Sequence, residues 1–470
     1  MSSFRNKKIF LVGLGKFKKG SGVSAVTFLA SQGADLTVTD LKTKKELAKN
    51  LQALKKFKNI KYVLGRHRQE DFQAADWVVR NPDVPPSSPY LAIARQRGVL
   101  IDNDITLFFR AHGISDVIGV TGTRGKSTTA SLIYEMARRQ FPEARLGGNI
   151  GESPLRFLGK IKKGAPVVLE LSNFQLSDLG AVKMSPLVAV WTNFYPDHLN
   201  KYAALAEYEA VKMKIFQFQK AGDKAVLNWD NLATRKNGQK LKKSGPAGRK
   251  VWFFSLKQKI SPGAYVKNGF FVFNNGEKET QVARISDTPL LGEHNRANIL
   301  AAICAGRAFG IGWTSIRSAI KEFKGVPNRL ELARKIDNVS FYNDCTATSP
   351  EATIAALKSF PAGKIILITG GNSKDSPLKN MAQEIGQRAR AAILVSGQVN
   401  EELKKLIREV RGDIIIRQAK NLKDAIEQAR ELAKPGDAVL FSPGLTWLPG
   451  QNEFARGKEF KKIIKKLKKN

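Results

Sequence analysis

The run Val117-Ile-Gly-Val-Thr-Gly-Thr-Arg-Gly-Lys-Ser-Thr-Thr129, leading into a helical pattern over 130–138, decides the architecture. A short apolar strand, a glycine-bearing turn and a helix start follow one another. In that order the backbone N–H groups of the turn and the positive end of the helix dipole converge on one point, which suits a polyphosphate. Gly122, Thr123 and Gly125 make the turn. Lys126 would reach the outer phosphates, and Ser127 or Thr128 would offer a hydroxyl to Mg²⁺. The strict Gly-x-x-x-x-Gly-Lys-Ser form fails, since Val120 stands five residues before Gly125, so the fit is to the narrower Thr-Gly-Thr-x-Gly-Lys-Ser-Thr. A purely structural turn is the weaker reading, because a lysine at a helix start opposes the dipole.

On either side of this run, short β-rich stretches alternate with helical patterns, as parallel α/β units require. Residues 9–13, 36–40 and 77–80 read as strands of an N-terminal unit, with a helix over 22–32 and a Pro-rich loop over 81–89 at a strand end. Residues 222–291, with short strands between Lys/Asn/Gly turns, read as an antiparallel appendage. A helix over 295–308 follows. A further βα series opens near Pro327, with strands expected at 336–342, 364–369, 391–395, 413–416 and 438–441. The expected fold is α/β with three domains. They are a Rossmann-like domain at 1–111, a central P-loop ATPase-like parallel sheet with the appendage at 112–325, and a second Rossmann-like domain at 326–470.

The 470 residues suffice for two or three cored domains. Two cysteines, Cys304 and Cys345, are too few for a disulfide scaffold or a thiolate metal site, which fits a reducing compartment. No apolar run approaches the ~20 residues that span a bilayer, and a cytoplasmic location is expected. The excess of 78 Lys and Arg over 41 Asp and Glu gives a net charge of +37. Such a field attracts polyanions, but the lysines are dispersed along the chain rather than gathered into a nucleic-acid footprint. They are densest over 458–470, where Phe460, Ile463, Ile464 and Leu467 repeat at helical spacing. That tail reads as a solvated terminal helix, with weak contact to a membrane surface as the alternative.

Other polar groups end apolar runs. Gly13-Leu-Gly15 with Gly20, Gly22 and Asp40 approximates a dinucleotide loop, with an insertion at 16–19. Its reading stays divided between a nucleotide site and tight-turn packing. Asn149, Glu170 and His198 each close an apolar stretch downstream of the phosphate loop. Glu170 is a candidate Mg²⁺ ligand. Taken alone, it would be a surface acid and His198 a hydrogen-bonded turn residue.

The ordered set Thr121-Gly-Thr-Arg-Gly-Lys-Ser-Thr128, Gly148-Asn-Ile-Gly151, Glu170-Leu-Ser, Asp197-His198, Gly292-Glu-His-Asn295 with Asn298, and Asn343-Asp344 resembles the Mur ligase family of ATP-dependent amino-acid ligases. The resemblance covers nearly the whole chain. Glu170-Leu-Ser-Asn-Phe-Gln-Leu176, Asp197-His-Leu-Asn-Lys-Tyr202 and Asn81-Pro-Asp-Val-Pro85 are most similar to the branch that adds D-glutamate to a UDP-N-acetylmuramoyl-L-alanine precursor. The resemblance implies phosphorylation of the precursor carboxylate by ATP, then attack of an amine on the acyl phosphate, with two Mg²⁺ ions. It implies Ser127 and Glu170 on one ion, and His198 with a carbamylated lysine on the other. Tyr-x-x-x-Lys spacing from Tyr208 selects Lys212; unaided, that residue would be an ordinary surface lysine.

By the same resemblance Gly15, Asp40, Asn81, Asn149 and His198 contact the precursor, with Asp40 at the uracil end. Asn298, Arg329 and Asp344 contact ATP, while Thr348, Lys374 and Ser442 serve the acceptor. Closure would bring Arg329, Asp344 and Lys374 to the central site. The partners implied are small molecules rather than nucleic acid, and the working unit a monomer. Two positions depart from the family pattern: Asn328 stands where a His usually precedes Arg329, and Thr346 where a Lys is usual. The middle of 442–457 also differs. The rival readings are another Mur-type ligase with a different acceptor, a nucleic-acid-stimulated NTPase, and a noncatalytic nucleotide-binding protein.

Overall fold

Short runs of β-branched and aromatic residues pair into three sheets in a computed structural model that describes residues 4–15, 17–196, 202, 204–244, 246, 248–372, 377–445 and 452–468. The first sheet holds β1 (Lys8–Val12), β2 (Asp35–Asp40), β3 (Ile60–Leu64), β4 (Trp77–Arg80) and β5 (Leu100–Asp102). Their order is β3-β2-β1-β4-β5, and every pairing is parallel. The connections leave β1 and β4 in opposite directions, so the loops at 13–15 and 81–84 flank a crevice at the strand ends.

The second sheet contains β6 (Val117–Thr121), β7 (Arg145–Gly148), β8 (Val167–Glu170), β9 (Val188–Trp191), β10 (Lys224–Asn228), β11 (Lys250–Ser255), β12 (Gly263–Lys267), β13 (Phe270–Asn274) and β14 (Glu279–Arg284). The order is β14-β13-β12-β11-β10-β9-β6-β8-β7. Antiparallel pairing is confined to β12, β13 and β14. The appendage is therefore smaller than the composition of 222–291 suggests. Helix Leu232–Ser244 makes β10 to β11 a crossover, and a crossover yields a parallel pair.

These two sheets share one apolar cluster and one compact unit, Met1–Ile285 with Ala297–Ile320. Arg80, at the end of β4, is fully buried where they meet. It pairs with Asp178 at 2.8 Å and donates to the Phe174 carbonyl at 2.9 Å and to Ser177 Oγ at 2.8 Å. Asn103 Nδ2 donates to the same Asp178 carboxylate at 2.9 Å.

The second unit, Ser286–Arg296 with Lys321–Asn470, carries the third sheet. Its strands are β15 (Glu331–Ile336), β16 (Val339–Asn343), β17 (Ile365–Thr369), β18 (Ala389–Val395), β19 (Ile415–Ala419) and β20 (Ala438–Phe441), ordered β15-β16-β20-β17-β18-β19. Residues 336–342, expected as one strand, belong instead to a hairpin that turns at Asp337 and Asn338. Both have positive φ, 50° and 60°, the handedness a two-residue hairpin turn requires and that Asp and Asn tolerate. Helix Glu453–Lys466 is not merely solvated. Phe460 and Ile464 are buried in the core of this unit, and the Phe460 ring stacks on Phe441 at 5.2 Å. Among the described residues no helix is long and apolar enough to cross a membrane.

Candidate active site

The phosphate loop follows β6 and is closed by backbone conformations that side chains resist. Gly122 has φ 151° and Gly125 φ 79°. A Cβ on Gly122 would strike Thr192 Oγ1, and one on Gly125 would strike Asn298 Oδ1. Asn298 thus lies against the loop, where Thr129 Oγ1 donates to its Oδ1 at 3.3 Å. Behind the loop, the segment after β9 acts as a brace. Thr192 Oγ1 donates to the Arg124 carbonyl at 2.7 Å, and Asn193 Oδ1 accepts the Arg124 N–H at 2.8 Å. Thr123 is tied to Tyr195 in both directions, at 3.1 and 3.3 Å. Ser127 and Thr128 are buried in the first turn of helix Lys126–Gln140.

Two ammonium groups meet at one carbonyl oxygen. Lys126 Nζ donates to the carbonyls of Gly122 and Thr123, each at 3.0 Å, and Lys212 Nζ donates to the same Gly122 oxygen at 2.8 Å. Lys212 is 1% exposed, and its ammonium lies 4.6 Å from the centre of the Tyr208 ring. The surface-lysine reading therefore fails. In helix Leu205–Gln217 the buried positions are Tyr208, Val211, Lys212, Ile215 and Phe216, the spacing of a core-facing stripe. A lysine in such a stripe was visible in the sequence as a polar residue on the wrong face, a signal independent of any resemblance.

Glu170 ends β8, the strand beside β6, and is 2% exposed. Its Oε1 accepts from Asn149 Nδ2 at 3.0 Å, while the Asn149 N–H donates to the Glu170 carbonyl at 2.8 Å. Its Oε2 is buried with no hydrogen-bond partner among the described residues. A buried anionic oxygen left in that state is costly, and a hard cation is the partner that its chemistry fits. Ser127, on the neighbouring strand-to-helix turn, offers a second oxygen. The residues present thus fit Mg²⁺. Among the described residues no cluster of three His, Cys, Asp or Glu forms a protein-only metal cage. His198 and Lys374 lie outside the described residues.

In the first sheet the dinucleotide-like loop is organised around Asp40. Its Oδ2 accepts the N–H groups of Leu14 at 2.8 Å and Gly15 at 3.3 Å, and its Oδ1 accepts that of Lys42 at 2.8 Å. Asn81 sits opposite. A Cβ on Gly15 would lie 2.8 Å from Asn81 Nδ2, which explains the glycine beside its positive φ of 74°.

The second unit gathers Asp344, Ser442 and Arg329, with Thr348 exposed on the loop after β16. Asp344 is buried. Its Oδ2 accepts from Ser442 Oγ at 2.9 Å, its Oδ1 from the Leu330 N–H at 3.1 Å, and Ser442 Oγ is 2.8 Å from Thr353 Oγ1. Burial pushes its carboxyl up to about 7, against the opposing pull of those two hydrogen bonds and of Arg329. Residues 446–451 of the altered segment fall outside the described residues. The brace Thr192 and the supporting Glu331 were not singled out from the sequence, and Asn343 was noted there only beside Asp344. Their roles are long-range.

A Mur ligase middle domain matches residues 120–306, a Mur ligase glutamate ligase domain residues 328–445, and a Mur ligase MurD-like N-terminal domain residues 7–102. The chain is 40% identical over 466 residues to UDP-N-acetylmuramoylalanine–D-glutamate ligase of Roseiflexus sp. (strain RS-1), covering 97% of this chain and 98% of that one. The chain belongs to the Mur ligase family. A second Mur ligase relative, the enzyme of the same name from Acetivibrio thermocellus, is 35% identical, with 98% and 97% covered. Solved structures share the Mur ligase fold. UDP-N-acetylmuramate–alanine ligase of Thermotoga maritima superposes with a TM-score of 0.61 at 18% identity, covering 98% and 99%. A pseudomurein peptide ligase type C of Methanothermus fervidus gives 0.58 at 19%, covering 98% and 100%. Mur ligases use ATP and Mg²⁺.

Proposed function

We infer that this chain is an ATP-dependent, ADP-forming ligase that joins D-glutamate to UDP-N-acetylmuramoyl-L-alanine in the synthesis of peptidoglycan precursors. One observation carries the reading. A glycine-closed phosphate loop with Lys126 stands one strand from the buried Glu170, in a chain 40% identical along its length to a ligase of that name. The precursor carboxylate attacks the terminal phosphorus of ATP, giving an acyl phosphate and ADP. The amine of D-glutamate then attacks the acyl carbon, and the tetrahedral intermediate loses phosphate and a proton to leave the amide.

Two anions must meet in the first step, so cations decide the rate. Lys126 leaves the carbonyls of Gly122 and Thr123 for the outer phosphates, which Gly122, Thr123, Gly125, Ser127 and Thr128 surround with backbone and hydroxyl donors. Bound Mg²⁺ lowers the repulsion between carboxylate and phosphate. Ser127 and Glu170 would hold one ion, and His198 with a carbamylated Lys212 a second. Carbamylation turns a buried cation into an anionic oxygen donor, and the crowding of two ammonium groups on the Gly122 oxygen favours that exchange. Asn149 steadies Glu170 and contacts the precursor. Gly15, Asp40 and Asn81 shape the crevice for its nucleotide end. Asn298, Arg329 and Asp344 serve ATP, and Thr348, Lys374 and Ser442 the acceptor.

On this reading residues 1–111 bind the UDP-sugar, 112–325 ATP and 326–470 the amino acid. The enzyme works as a cytoplasmic monomer. Phe460 and Ile464, two of the four apolar residues of the basic tail, are buried and not offered to a membrane. The test is phosphate release by the isolated protein with ATP, Mg²⁺, UDP-N-acetylmuramoyl-L-alanine and, in turn, D-glutamate, L-alanine and a diamino acid. Release that depends on D-glutamate alone is expected. None with D-glutamate removes the assignment, and stimulation by DNA or RNA with steep salt dependence would favour an NTPase instead.

A further inference from the structure

The two positions that depart from the family pattern, Asn328 and Thr346, touch each other in the fold. Thr346 donates its hydroxyl to the Asn328 carbonyl at 2.9 Å, and its backbone N–H approaches the same oxygen at 3.4 Å. The rest of Asn328 is held as fully. Asn343 Nδ2 donates to Asn328 Oδ1 at 2.9 Å, and Glu331 Oε2 accepts the Asn328 N–H at 2.8 Å. Two residues on, the Leu330 N–H donates to Asp344 Oδ1.

This segment needs holding. Asn328 has φ 69° and Leu330 φ 42°. Asparagine enters the left-handed region readily, but leucine does so only at a cost, and such conformations persist where the surroundings over-determine them. Arg329 lies between the two, with its side chain exposed. The backbone on both sides of Arg329 is therefore fixed while its guanidinium projects outward. Helix Glu453–Lys466 closes the other side. A Cβ on Gly457 would come within 2.6 Å of Asn328 Oδ1, and Lys461 Nζ reaches both oxygens of Glu331 at 3.1 and 3.2 Å.

We propose that Thr346 and Asn328 form a latch that sets the direction of the Arg329 side chain, making Thr346 a positioning residue for the nucleotide and not a contact of the acceptor amino acid. The hydroxyl is short and its one proton is committed to the Asn328 carbonyl, whereas a lysine at this position would carry a cation beyond it. The proposal rests on the assignment of Arg329 to ATP.

The experiment is steady-state kinetics, with thermal melting of each protein, on Thr346→Ala, Thr346→Val, Thr346→Ser, Arg329→Ala and the double variant Thr346→Ala/Arg329→Ala. One net hydrogen bond corresponds to a rise in KM for ATP of about 3- to 10-fold in Thr346→Ala, with KM for D-glutamate unchanged. Thr346→Val, which keeps the shape, behaves as Thr346→Ala does, and Thr346→Ser restores the wild-type value. In the Arg329→Ala background, loss of the hydroxyl adds less than about 2-fold, as expected for residues acting as one unit.

A rise in KM for D-glutamate alone, effects that multiply in the double variant, or an unchanged KM for ATP in Thr346→Ala each overturns the latch. Absence of any D-glutamate-dependent turnover by the wild type would instead remove the ligase assignment. The latch is then read from titration calorimetry with Mg²⁺ and ADP, where Thr346→Ala should bind about 3- to 10-fold more weakly, and equal affinity sinks it.

Discussion

The loop after β6 and the loop after β16 each follow a strand with a parallel neighbour, yet they are built in opposite ways. The first is shaped by glycines, Gly122 and Gly125, whose positive φ angles most side chains adopt only with strain. The second has no glycine between Asn343 and Ser349. Its form comes from side-chain hydrogen bonds: Asn343 to Asn328, Thr346 to the Asn328 carbonyl, and Asp344 to Ser442 across 98 positions of sequence. A site that presents backbone donors to an anion writes itself into local sequence. A site held by side-chain pairs does not.

Four changes break or sharpen this contrast. Lys126→Ala should have the largest effect, a fall of about 10³-fold in kcat/KM for phosphate release with little change in thermal stability, because the ammonium is needed only when phosphates are present. A melting temperature that fell in step with activity would mean that Lys126 is structural. Gly125→Ala should cost about 1–3 kcal/mol in urea unfolding and weaken ATP binding as well, since strain and the collision with Asn298 act together. Unaltered stability would show that the loop is not shaped by its glycines.

Asp344→Asn tests the other loop through pH. The wild-type carboxyl is raised by burial to about 7 and faces Arg329; Cys345 lies beside it, with Glu331, Arg456 and Lys461 around that thiol. Between about pH 4 and 7 the folded chain keeps a proton that the unfolded chain has lost, so stability falls as pH rises through that window, by on the order of a few kcal/mol. In Asp344→Asn that contribution should vanish, and urea midpoints at pH 5 and 8 should lie closer together than in the wild type. Identical pH slopes in the two proteins would contradict it. The smallest effect is expected for Asn452→Ala. It removes only the cap that accepts the Ala455 N–H at 2.8 Å, and should cost about 1 kcal/mol with kinetics unchanged.

Much of the fold was legible because parallel strands buried on both faces read as continuous apolar runs; 77–80 and 438–441 match residue for residue. Misreadings came where composition misled. Lys/Asn/Gly turns in 222–291 suggested an antiparallel segment, although β10 and β11 pair in parallel through a helix. The apolar run 336–342 hid a hairpin, since Asp337 and Asn338 look like ordinary strand-breaking polar residues until their positive φ is known. In the site, Lys126 stands out by its position at the helix start, whereas Glu170, read alone as a surface acid, is buried in the structure. Asp40 stands out only in part. Its carboxylate proves to be filled by the N–H groups of Leu14, Gly15 and Lys42, which shapes the loop around it.

The amino-acid order by itself determined the α/β class and the phosphate loop, because each depends on residues within a few turns of one another, and the family, because its short motifs recur in order along the chain. Tertiary structure alone decided that Lys212 shares an oxygen with Lys126, that one oxygen of Glu170 is buried without a partner among the described residues, and that Asn328 meets Thr346. Those facts depend on which distant chain segments are packed together. Periodicity can say which face of an element is apolar, but not what covers it.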